Sequence, residues 1–174
     1  VYHYMNNGTH RFTGAGTYGE LPSSILLPFG YGLSYTTFDV SFGRASFAGN
    51  EVTVRALVRN TGKVAGKETV QVYLSCPQGK LGKPERELAA FIKTGTLLPG
   101  QEEAVELSFN IESHASFDDS GATGHRFCRV LEKGRYAVYG GTDSLSAEKI
   151  SLEDSDCIEL AETVVVEKLG SACA

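Results

Sequence analysis

Glu51-Val52-Thr53-Val54-Arg55-Ala56-Leu57-Val58-Arg59-Asn60-Thr61-Gly62 is the stretch on which the fold turns. Val52, Val54, Ala56 and Val58 alternate with Thr53, Arg55, Leu57 and Arg59, the period of two that sends successive side chains to opposite faces of a half-buried strand. Asn60 and Gly62 follow with turn chemistry that predicts a reversal. Moving outward, the period recurs. Phe38, Val40 and Phe42 alternate with Thr37, Asp39 and Ser41, and Val70, Val72 and Leu74 alternate with Thr69, Gln71 and Tyr73. Val105, Leu107, Phe109 and Ile111 do the same after the Leu98-Pro99-Gly100 turn, and Tyr136, Val138 and Gly140 open a strand after Gly134. Residues 87–93 and 126–131 are further strand candidates.

No convincing amphipathic helix and no strand-helix-strand rhythm interrupts this series. Short alternating strands punctuated by Gly, Pro and Asn predict an all-β, antiparallel sandwich of the immunoglobulin or fibronectin type III class, with seven to eight strands. Three regions are expected: an irregular connector over residues 1–34, the sandwich over 35–150, and a tail over 151–174. The tail starts acidic at Glu153-Asp154-Ser155-Asp156 and then carries Thr163-Val164-Val165-Val166, which reads as one edge strand or as a link to another domain.

The connector is rich in Gly, Asn, Thr and aromatic residues and has no sustained periodicity. It ends in Leu27-Pro28-Phe29-Gly30-Tyr31-Gly32-Leu33-Ser34-Tyr35-Thr36-Thr37-Phe38, where Pro28 fixes its own φ and Gly30 and Gly32 permit tight turns between bulky rings. Burying a large side chain is worth about 1.5–3 kcal/mol. Phe29, Tyr31 and Tyr35, together with Tyr2, Tyr4, Phe12 and Tyr18 before them, are therefore expected to pack against a neighbour. The absence of Trp argues against direct sugar stacking.

A chain of 174 residues suits one domain with appendages, and at this size about 70% of the unfolded surface is buried. It opens on Val1 rather than Met and is expected to be a piece of something larger. The net charge of −5, with Lys and Arg scattered, gives no footprint for nucleic acid or an anionic membrane. No apolar run reaches transmembrane length, and the N-terminus lacks the pattern of a signal peptide. Cys76, Cys128, Cys157 and Cys173 are too dispersed for a disulfide scaffold and are expected to be free thiols, a usage that leans toward the cytoplasm over a periplasmic or secreted bacterial setting. Asn7-Gly8-Thr9 is a glycosylation sequon, relevant in a eukaryotic secretory setting.

The ordered motifs resemble the C-terminal part of glycoside hydrolase family 3 enzymes, the β-glucosidases and β-xylosidases. Residues 28–38 resemble the family's junction motif. Val58-Arg59-Asn60-Thr61-Gly62, Ala65-Gly66 and Glu68-Thr69-Val70-Gln71-Val72-Tyr73 resemble its first hairpin. Lys83-Pro84-Glu85-Arg86-Glu87-Leu88 with Phe91 and Lys93, then Leu98-Pro99-Gly100-Gln101, Phe117-Asp118, and Gly134-Arg135-Tyr136-Ala137-Val138-Tyr139-Gly140-Gly141 continue in the family's order. The resemblance implies a fibronectin type III-like module that packs against the α/β sandwich domain of a retaining glycosidase. It also implies that the nucleophilic Asp and the acid/base Glu lie in other domains. No catalytic residue is transferred to this chain, and no cofactor is implied. The expected partners are the other domains of the parent hydrolase, with an oligo- or disaccharide reaching it only through them. The Gly-rich loop before the junction is a candidate border of the parent's catalytic cleft.

Residues with chemical potential are present but badly spaced. Glu102-Glu103, Asp118-Asp119 and Glu153-Asp154 are carboxylate pairs, yet neighbours on a strand face opposite ways and the Asp pair precedes Ser120-Gly121 as in a solvated turn. His125 and Cys128, with His114 and Cys76, lack the close couples from two sides that a metal site uses. Neither Ser34 nor Ser108 lies in a nucleophile elbow. An independent carbohydrate-binding or adhesion module is the competing reading, since many sandwiches bind through loops or a sheet face.

Overall fold

A computed structural model describes residues 27–169. The expectations for Tyr2, Tyr4, Phe12, Tyr18, the sequon at Asn7 and Cys173 lie outside the described residues. Within them the fold is all-β and antiparallel, with a single 3-10 turn at Ile111–His114. The strands are β1 (Phe38–Phe42), β2 (Ser46–Ala48), β3 (Glu51–Asn60), β4 (Thr69–Ser75), β5 (Glu87–Lys93), β6 (Glu102–Asn110), β7 (Ser116–Asp118), β8 (Cys128–Leu131), β9 (Gly134–Gly141), β10 (Glu148–Ile150), β11 (Ile158–Leu160) and β12 (Val164–Lys168).

These twelve strands exceed the seven to eight expected, because short ladders of three residues give too little alternation to read. One such case is the first edge. β1 and β2 pair with successive halves of the same side of β3, and the chain breaks register between them at Gly43–Ala45. There the buried Ala45 leaves β3 and turns to the tail: its N–H donates to Ser151 O at 3.0 Å, and Glu153 N–H donates to its carbonyl at 2.9 Å. β10 and β11 divide β9 in the same manner, and β12 pairs with β8. Residues 151–169 thus contribute two strands rather than one.

The alternation of β3 is realised fully. Val52, Val54, Ala56 and Val58 are buried, and across the β3–β6 ladder Val52 meets Phe109, Val54 meets Leu107 and Ala56 meets Val105. The facing layer is β10-β9-β4-β5, whose Val70, Val72, Leu74, Tyr136 and Val138 close the core. β3 and β4 therefore do not form the hairpin expected between Val58 and Tyr73. They stand in opposite sheets, and residues 61–68 form an arch over the edge of the sandwich. Each strand carries an unbroken apolar face, so the two stabilise more by facing each other across the core than by lying side by side. Gly140 permits this close approach, since a Cβ there would lie 2.6 Å from the Phe42 ring and 2.7 Å from Ile150.

Candidate interdomain docking face

The two outer faces of the sandwich differ in chemistry. Outside β3 and β6, Arg55 pairs with Glu106 at 2.7 Å, Arg59 with Glu102 at 3.6 Å, and the Thr53 and Ser108 hydroxyls lie 3.0 Å or less apart, at 2.9 Å. This is an exposed polar ladder suited to water. Outside β4, by contrast, Gln71 and Tyr73 are buried although they sit opposite the core-facing valines. The junction segment covers them.

That segment is fastened by its own backbone. Pro28 and Tyr31 close a turn, with Tyr31 N–H donating to Pro28 O at 3.1 Å. The Gln71 amide donates to Gly30 O at 2.9 Å and to Thr142 O at 2.5 Å, and its Oε1 accepts the Tyr73 hydroxyl at 2.5 Å. Phe29 O accepts Ser144 N–H at 2.9 Å and lies 3.4 Å from the Tyr73 hydroxyl. Burial pushes the Tyr73 phenol well above its ordinary value, so it remains a donor. Arg86 secures the same loop, donating to Ser144 O at 2.6 Å and Ala147 O at 3.1 Å while its guanidinium stacks 4.2 Å above Tyr139.

A second fastening holds the end of the segment. Asn60 is fully buried; its Oδ1 accepts Thr36 Oγ1 at 2.9 Å and Gly62 N–H at 3.0 Å, and its Nδ2 donates to Val64 O and Leu97 O, both at 2.8 Å. One amide thus joins the junction, the arch and the Leu97 turn. The reading of Asn60 as turn chemistry missed this role. The signal was its phase: Asn60 continues the inward series 52, 54, 56 and 58, so a polar group had to be satisfied inside.

With the backbone held, the apolar side chains face outward. Leu33 is 90% exposed, Tyr35 is fully exposed, and Leu27, Phe29 and Tyr31 are exposed as well, with Phe91 of β5 at 67%. Beside them lies a cleft of about 360 Å³ lined by Tyr31, Ser34, Lys67, Glu68, Gln71 and Lys93, among others. Glu68 Oε1 accepts Thr69 N–H, and Asp143, also in the lining, accepts Leu145 and Ser146 N–H.

The sequence-level chemical candidates are dispersed by the fold. Glu102 pairs with Arg59, while Glu103 accepts Gly95 N–H at 2.9 Å. Ser34 accepts Thr36 N–H, and Ser108 faces Thr53. His125 meets Cys128 only through backbone, Cys128 N–H donating to His125 O at 3.1 Å. The described cysteines, Cys76, Cys128 and Cys157, carry free thiols, and burial raises the Cys76 thiol to about 12.

Asp118 differs from the solvated turn expected of it. It is fully buried, and its carboxylate accepts the N–H groups of Gly121, Ala122 and Thr123 and the Thr123 hydroxyl at 2.6–2.9 Å, closing the 119–127 loop. Burial alone would raise its pKa, but these donors hold it far below the ordinary carboxylate value. Glu87 is the second such group. It accepts Lys83 Nζ at 3.0 Å and His114 Nδ1–H at 2.9 Å, linking β5 to the turn after β6. Burial again works upward, and the His114 bond with the Lys83 charge outweighs it, leaving Glu87 lowered.

Groups lowered in the folded state stabilise it fully above the unfolded carboxylate value, near 4, and that contribution is lost as pH falls through the folded values. Urea midpoints are therefore expected to be flat from about pH 7 to 5 and to fall below about pH 4. Glu87→Gln, which leaves Lys83 its bond to His114 O but no carboxylate partner with only 14% of its side chain exposed, is expected to cost about 2 kcal/mol and to make that acid limb shallower, the remainder being due to Asp118. An unchanged limb would remove Glu87 from the account.

Comparison with known proteins agrees with this architecture. Residues 68–144 match the family described as the fibronectin type III-like domain. The β-glucosidase of Ruminococcus albus is 44% identical over 151 residues, which span 86% of this chain and 15% of that enzyme. A β-glucosidase from Paenibacillus barengoltzii has a similar structure at a TM-score of 0.80 and 42% identity, over 86% of this chain and 17% of its own. For β-glucosidase 3B from Thermotoga neapolitana the values are 0.67 and 38%, over 82% and 18%. Fold and matches together define a fibronectin type III-like module. More particularly, the chain belongs to the C-terminal fibronectin type III-like domains of family 3 β-glucosidases. It spans 15–18% of the length of these relatives, which therefore carry other domains.

Proposed function

We propose that this chain is a noncatalytic structural module of a family 3 glycoside hydrolase, packing through the junction face against the α/β sandwich domain of its parent. Its relatives are named as β-glucosidases, and the parent on this reading hydrolyses terminal β-glycosidic bonds by the retaining mechanism that the family resemblance implies. Residues 1–34 serve as the docking segment, 35–150 as the sandwich and 151–174 as its tail. The supporting observation is that residues 27–35 present their apolar side chains outward while their backbone is pinned by buried partners. A face held rigidly in that state is preorganised for a partner, which lowers the entropy lost on docking.

The purified chain is expected to show no turnover of an aryl β-glucoside. In the parent enzyme, Leu33→Ser with Tyr35→Ser is expected to lower the unfolding temperature, while leaving that of the isolated chain unchanged. Turnover by the chain alone, or an unaffected parent, would count against the proposal. The cleft beside Tyr31 is the observation that favours a carbohydrate-binding role instead. Calorimetric titration with glucose, xylan and cello-oligosaccharides separates the two, since a structural module gives no saturable heat.

A further inference from the structure

The cleft beside Tyr31 is lined by two exposed lysines, Lys67 and Lys93, and neither makes an ion pair or a side-chain hydrogen bond among the described residues. Two carboxylates share the lining, yet both are turned to their own backbone. Asp143 commits both oxygens to its turn, Oδ1 accepting Leu145 and Ser146 N–H and Oδ2 the Ser146 hydroxyl, while Glu68 Oε1 accepts Thr69 N–H. Of the charged groups in the lining, two ammonium groups and one carboxylate oxygen, Glu68 Oε2, stay uncommitted. The cleft has donors and positive charge to spare.

Strand register ties Lys93 to the docking face. On β5, Phe91 lies opposite Gln71 of β4 and Lys93 opposite Thr69, and Ile92 between them packs on the core. Phe91 and Lys93 therefore leave the sheet on one side, about 7 Å apart along the strand. A domain that covers Phe91, Leu33 and Tyr35 takes Lys93 out of water with them. Burying an unpaired ammonium group costs more than an apolar contact returns, so the neighbour has to bring an anion. Among protein side chains only Asp and Glu carry that charge at neutral pH. We propose that the domain docking on the junction face inserts an Asp or Glu side chain into this cleft, where Lys93 and Lys67 hold its carboxylate. Ser34, whose oxygen accepts Thr36 N–H, keeps its hydroxyl hydrogen to donate to the same group. The inference rests on the docking role proposed above and gives that role its chemistry: the rings supply buried area, and the lysines fix the orientation of the neighbour.

In the full-length parent, carbodiimide coupling followed by peptide mapping is expected to join Lys93 or Lys67 through an amide to an Asp or Glu outside these 174 residues. An adduct to Glu20, Glu68 or Asp143 instead would overturn the proposal, because the anion would then come from this chain. Unfolding midpoints give the second readout. Lys93→Glu is expected to lower that of the parent by at least about 4 °C more than Lys93→Gln, whose amide still donates to a carboxylate, whereas in the isolated chain the two variants differ by less than about 2 °C. Should neither lysine give an adduct, this difference decides, and equal midpoints for the two variants in the parent would overturn the proposal. Leu33→Ser with Tyr35→Ser separates this inference from the reading beneath it. If that pair destabilises the parent while Lys93→Glu does no more than Lys93→Gln, docking stands without the carboxylate; if none of these changes moves the parent, the docking role itself falls.

Discussion

Asn60→Ala is expected to lower the stability of the chain by about 3 kcal/mol, because one fully buried hydrogen-bonding hub loses its four bonds and the carbonyl of Leu97 keeps only its bond from Gly66 N–H. For a protein of this size that corresponds to a fall of about 10 °C in the unfolding midpoint. The loss has two components with different reach. The bonds to Val64 O and Gly62 N–H hold the arch between the sheets, whereas the bond from Thr36 Oγ1 holds the junction segment. Thr36→Val removes only the last and is expected to cost about 1 kcal/mol. The pair of variants thus separates the sandwich from its attachment. A shift below about 0.5 kcal/mol for Asn60→Ala, the range of an ordinary surface change, would mean that water replaces the amide and that the hub is incidental.

Gly30→Val is expected to cost a similar amount, about 3 kcal/mol, through backbone strain and displaced partners together. Gly30 has a φ of 84°, a region costly for a β-branched residue, and an added Cβ would lie 2.7 Å from the Tyr73 hydroxyl and nearer still to the Gln71 side chain. The segment has to lift, and with it go the bonds from Gln71 to Gly30 O and from Ser144 to Phe29 O. Amide exchange at Ser144 is therefore expected to accelerate far more than exchange at Val54 or Val58 in the core. Equal acceleration at both places would show that the junction and the sandwich unfold as one unit. If Gly30→Val left Ser144 protected, the segment would not be held by the outer face of β4 at all.

Much of the fold was legible because the strands that build it are long and regular. β3, β4, β5, β6 and β9 announce themselves by alternation and by the Gly and Pro residues between them. β2, β7, β10 and β11 did not, since three residues carry barely one period and their pairing is decided by what lies beside them. The exposed rings of the junction were legible too, from Pro28, Gly30 and Gly32 set among aromatics with no strand to carry them. Gln71 and Tyr73 were not. Alternation placed them on the outer face of β4, and nothing local says that a segment forty residues earlier returns to bury that face.

The same division runs through the molecule. The order of apolar and polar residues in the chain was sufficient to determine that it forms antiparallel strands with a buried interior and an apolar approach to the first of them, because side-chain direction in a strand is a local property of the backbone. Which strands face each other, that Asn60 and Asp118 are satisfied inside rather than solvated at turns, that Glu87 of β5 holds Lys83 and His114, and that the junction lies pinned on β4 were decided only by the tertiary structure. Hydrogen-bond partners and burial depend on segments distant in sequence, and no local pattern records who those neighbours are.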